Sequence, residues 1–87
     1  MPKTLSNLEI AERIHGKLKT IPEVRRIEIL PGCQANVDLN LRIFINPPRT
    51  WKVVKRIASA LSEAKWEVFE ETQELPAVEW EVVEDKD

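Results

Sequence analysis

Residues 35–45, ANVDLNLRIFI, constrain the fold more than any other stretch of this 87-residue chain. Val37, Leu39, Leu41, Ile43 and Ile45 are apolar, and Asp38, Asn40, Arg42 and Phe44 fall between them. A period of two sends successive side chains to opposite faces of a strand. Such a strand has one face to bury and one that water can wet. The rest of the chain must supply a layer over the first face and need not supply one over the second.

Two amphipathic segments can form that layer. From about Leu5 to Thr20, Leu8, Ile10, Ala11, Ile14 and Leu18 share one helical face, with Glu9, Arg13 and Lys17 opposite. Ser6 and Glu9 have the spacing of a capping box, in which each side chain satisfies a free backbone amide at the helix start. Gly16 lies on the polar side. The second segment follows Asn46-Pro47-Pro48 and runs from Arg49 or Thr50 to Lys65. Asn46 and Thr50 are both suitable N-caps. Val53, Val54, Ile57, Leu61 and Ala64 make its apolar stripe, Lys52, Lys55, Arg56, Ser59 and Glu63 its outer face, and Trp51 its margin.

Three further stretches alternate as strands do. In residues 24–30, Ile27 and Ile29 oppose Arg26, Glu28 and Leu30. In residues 66–72, WEVFEET, Trp66 and Val68 oppose Glu67, Phe69 and Glu71. In residues 77–83, Val78, Trp80 and Val82 oppose Glu79, Glu81 and Val83. Prolines at 22, 31, 47, 48 and 76 fall between these segments, where a residue without an N–H does no harm.

The expected fold is therefore α+β, a two-layer sandwich in the order α-β-β-α-β-β. Two helices cover one face of a four-stranded antiparallel sheet. The sheet order 3-4-2-1 would be a circularly permuted ferredoxin-like arrangement, with Glu79 or Glu81 across from Arg42. Leu39, Leu41, Ile43, Ile57, Leu61 and Ile14 are the expected centre of the core, with Trp66 and Trp80 beneath the helices. Residues 1–87 make a single domain, and its acidic tail, EDKD, is expected to fray. The α-β-β-α-β run resembles the BON domain in element order alone. The glycines that usually follow that family's strands are missing, since Gly16 and Gly32 are the only two, and no function is carried across.

The sequence offers little to chemistry, and the expectation is no enzyme, no metal and no cofactor. His15 is the only histidine and Cys33 the only cysteine, one on a helix and one in a turn. A zinc site built on them would need several carboxylates besides. No glycine-rich phosphate loop or calcium loop occurs. No apolar run approaches the roughly 18 residues of a membrane span. With no secretory signal and one cysteine, the expected compartment is the cytoplasm.

What remains is surface. Residues 1–65 carry twelve Lys/Arg against six Asp/Glu, and residues 66–87 carry one Lys against nine acidic residues. Such asymmetry bears on partners, not on fold. The leading expectation is a small protein-interaction module, a homodimer through its open sheet face, with Leu30, Arg42, Phe44, Phe69 and Val83 as the contact. A basic protein of another kind is the competing partner for that face. The alternative is a nucleic-acid-binding accessory protein that uses Arg49, Trp51, Lys52, Lys55 and Arg56, where phosphates would meet the cations and Trp51 would stack on a base.

Overall fold

A computed structural model describes residues 4–30 and 37–85. The chain runs α1 (Asn7–Leu18), β1 (Val24–Ile29), β2 (Leu39–Ile45), α2 (Trp51–Thr72) and β3 (Val78–Glu84). The capping box starts α1 as its sequence requires. The Ser6 hydroxyl accepts from the Glu9 amide at 3.2 Å, and the Glu9 carboxylate accepts from the Ser6 amide at 3.2 Å. Thr50 caps α2 by accepting from the Val53 amide.

The sheet has three strands in the order β1-β2-β3, with β1 antiparallel and β3 parallel to the central β2. This overturns the expected four-stranded antiparallel sheet, the α-β-β-α-β-β order and the strand order 3-4-2-1. The cause lies in residues 66–72, expected as a strand, which form the last two turns of a 22-residue α2. Val53, Ile57, Leu61, Ala64 and Val68 make one unbroken buried stripe along it. No proline or glycine interrupts the chain between Pro48 and Pro76. Gln73, in the left-handed conformation, closes the helix. A helix of this length spans about 33 Å. It carries the chain back past the whole of β2, so that β3 starts with Val78 beside Leu39 and runs parallel to it.

The core lies between the sheet and both helices. Ile14, Leu39, Leu41, Ile43, Ile57 and Leu61 are all buried, with Ile10, Leu18, Ile45, Val53, Val68 and Val82 around them. Trp80 is half-buried against this core. Trp66, expected beneath the helices, is 54% exposed on α2. Arg13 pairs with Glu71 and Lys17 with Glu67, so α1 and α2 lie antiparallel. Of the tail expected to fray, Glu84 ends β3 and accepts from the Arg49 amide, and the Asp85 amide donates to the Ile45 carbonyl. Lys86 and Asp87 lie outside the described residues, as does Cys33. Among the described residues no helix is long and apolar enough to cross a membrane.

Candidate interaction surfaces

The polar positions of β2 define the uncovered face. Register places Arg26 and Val83 on either side of Phe44, and Glu28 and Glu81 on either side of Arg42. Leu30 follows β1 on the same side and donates its amide to the Asn40 carbonyl, and Glu79 lies beyond Asn40. Leu30, Arg42, Phe44 and Val83 are thus brought together as expected. Phe69 is not: it stands on α2, where its ring meets Trp66 edge-on at 5.4 Å. Glu67 and Glu71, also expected on this face, are spent on α1.

Most charges on the face are paired within the chain. The Arg42 guanidinium donates to Glu81 at 2.6 Å. That hydrogen bond, more than the charge behind it, raises the guanidinium pKa above its ordinary high value. The expected tie between Arg42 and the last strand is thus present, although the strands run parallel. Arg26 reaches Glu28 at 3.3 Å, and its guanidinium carbon lies 3.9 Å from the centre of the Phe44 ring. Such a cation over a ring covers apolar surface and is itself held by the ring's negative face. Arg25 and Arg26 both approach Asp85. The face carries Glu28, Glu79 and Glu81 against Arg26 and Arg42, and it is less acidic than the sequence alternation implies because Glu67 and Glu71 stand on α2.

The helical layer is less basic than its sequence. Hydrogen bonds to Glu71 and Glu67 raise the Arg13 and Lys17 pKa values, the sign of cations already committed to carboxylates. Arg56 is forked onto Glu23 at 2.9–3.3 Å. Lys52, Lys55 and Arg56 share a shallow groove of about 470 Å³ with Thr20, Pro22 and Glu63. Trp51, the first residue of α2, is 78% exposed beside it, and Arg49 precedes the cap. All five residues of the alternative surface lie at this end of the helix.

Sequence reading missed the outer edge of β1. Leu8 and Ile29 were both expected inside but are 63% and 52% exposed. They line a cleft of about 220 Å³ with Ala11, Glu12, His15, Ile27 and Leu41. A signal for Leu8 existed: at 100° per residue it lies about 100° from the middle of the stripe formed by Ile10, Ala11, Ile14 and Leu18. Among the described residues no group of three His, Cys, Asp or Glu is placed to hold a metal ion.

Fold and surfaces together define a class: a small two-layer domain with two helices over one face of a mixed three-stranded sheet. Within that class the structure is similar to the MamB CTD magnetosome protein of Desulfamplus magnetovallimortis BW-1, at 18% identity and a TM-score of 0.54, over 90% of this chain and 95% of that one. It is also similar to the copper form of the MamM CTD, at 15% identity and a TM-score of 0.51, over 88% of this chain and 84% of that one. Identities this low establish likeness of fold. No family model and no curated protein sequence matches the chain.

Proposed function

We propose that the domain is a protein-interaction module that works as a pair of identical chains and offers the uncovered face of its sheet as a contact surface. The observation that carries this reading is the face itself. Among the described residues one side of the three-stranded sheet carries no helix, and Phe44 and Val83 stand half-buried on it toward the ends of β2 and β3, near Arg42, with Leu30 at the opposite end. Exposed apolar positions framed by charge are the usual make-up of a contact surface. The likeness to two CTDs supports the reading, since those domains share the two-layer form and nearly the same length. Two-fold pairing is the commonest arrangement of identical chains. The single cysteine favours a cytoplasmic setting, and the reading needs no catalytic group, metal or cofactor. Light scattering over a concentration series tests it. The expected mass at micromolar concentration is that of two chains. A mass of one chain at every concentration removes the pair and leaves the face to a foreign protein.

A second reading is favoured by one observation: Trp51 is largely exposed next to Lys52 and Lys55 at the start of α2. A single-stranded nucleic acid could lay phosphates on the lysines and stack a base on the indole. A gel shift at two salt concentrations decides it, since phosphate-driven binding weakens steeply with salt. Binding that disappears with Lys52→Glu and Lys55→Glu supports it, and no shift at low salt ends it.

A further inference from the structure

We infer that the open edge of β1 is where two copies of this chain join, by antiparallel pairing about a two-fold axis at Ile27. The inference rests on the self-association proposed above and names its surface. Sheet order leaves β1 at an edge, and among the described residues no strand pairs with its outer side. The direction of its backbone groups follows from its bonds to β2. Leu30 donates to Asn40 at 2.8 Å, so that pair is hydrogen-bonded. Bonded and unbonded pairs alternate along an antiparallel ladder. Glu28 with Arg42 is then bonded, whereas Ile27 opposite Ile43 and Ile29 opposite Leu41 are not. The N–H and C=O groups of Ile27 and Ile29 therefore aim out of the sheet, where another strand can take them.

Self-pairing must set outward-aimed residues against outward-aimed residues, which allows an axis at a bonded or an unbonded pair, and the side chains choose among the few registers that qualify. An axis at Ile27 sets Ile27 against its own copy, Arg26 against the partner's Glu28 and Glu28 against the partner's Arg26. An axis at Ile29 sets Glu28 against the partner's Leu30 and leaves both charges without opposite numbers. Axes at Arg25, Arg26 and Glu28 each set a charge against its own copy. Only the first register is complementary in charge, and it is complementary twice because of the symmetry. Directly opposed unlike charges favour a strand pair and like charges oppose it.

The helical side of the same edge agrees. A two-fold axis perpendicular to the sheet puts both α1 helices on one side, next to each other. The clefts lined by Leu8, His15 and Ile29 then face across the axis, and the two most exposed apolar side chains near β1 gain cover. The bulge between Val24 and Arg26 limits how far the ladder runs, which leaves much of the burial to this apolar seam. The product is a six-stranded sheet whose uncovered face is continuous and presents Arg42, Phe44 and Val83 twice.

Charge reversal with rescue tests the register. The dissociation constant is measured by light scattering and sedimentation for the wild type, Arg26→Glu, Glu28→Arg and the double swap, with circular dichroism to confirm folding. Each single reversal turns two attractions into repulsions and is expected to weaken the pair by about tenfold or more. The double swap is expected to return it to near the wild-type value. Folded single variants that pair as tightly as the wild type overturn the inference, and so does a folded double swap that stays dissociated. In either case the edge is refuted while self-association stands, on another surface. A monomeric wild type refutes both.

Discussion

Lysine placed at positions 66 and 68 separates the helix seen for residues 66–72 from the strand their alternation suggests. On a strand, Trp66 and Val68 both face the core, and a lysine at either position is ruinous. On α2 they differ: Trp66 is 54% exposed and Val68 is 2% exposed. Somewhat under half of the indole is hidden, roughly 100 Å², for an upper limit of about 2.5 kcal/mol. Lysine returns part of that. Its stem covers apolar surface, it is a good helix former, and Glu63 and Glu70 lie three residues before and four after it. Trp66→Lys should therefore cost about 1–2 kcal/mol. Val68→Lys removes a core side chain and buries an ammonium with no partner, a change of at least ~4 kcal/mol. A domain of this size is stable by roughly 4–13 kcal/mol, so the second variant should lose a third of its stability or more. Equilibrium urea denaturation followed by circular dichroism reads both. With a slope near ~1 kcal/mol per molar, Trp66→Lys should shift the midpoint by about 1–2 M. Val68→Lys should lower it by about 4 M or more, to the point of losing the folded baseline if the wild type is stable by only about 4 kcal/mol. A Trp66→Lys protein that cannot fold, or a Val68→Lys protein as stable as the wild type, refutes the reasoning.

Three other outcomes are expected. Leu41→Ala empties a wholly buried position at the centre of β2 and should cost ~2–5 kcal/mol, seen as a large fall in melting temperature. Gly16→Ala should stabilise the domain by up to ~1 kcal/mol in the same melt, because an added Cβ in the last turn of α1 meets nothing within 4 Å. Ser6→Ala removes the hydroxyl that accepts from the Glu9 amide, leaves the backbone amide of residue 6 to donate to Glu9, and should cost ~0.5–2 kcal/mol, with amide exchange faster in the first turn of α1.

Local signals in the chain were enough for α1, β2 and most of the core. The capping box of Ser6 and Glu9 is a short-range device, and the alternation of residues 37–45 has one physical solution. Either can be read without knowing where the rest of the chain lies. Parity alone put Glu79 and Glu81 on the same face as Arg42, but that their strands are neighbours, and that Glu81 is the partner, came from the tertiary register. Residues 66–72 were different. Trp66 and Val68 alternate with polar residues, yet Val68 also continues the stripe of Ile57, Leu61 and Ala64, and a stretch this short fits both periods. Tertiary contacts decided between them: Glu67 and Glu71 find Lys17 and Arg13 on α1, and Val68 closes the far end of the core. That choice then set the rest of the sheet. With α2 long enough to return the chain past β2, β3 had to enter parallel and the sheet stopped at three strands. Phe69 was removed from the open face, and Glu67 and Glu71 were moved with it onto α2. None of these follows from local pattern, because each depends on where a helix 22 residues long comes to an end.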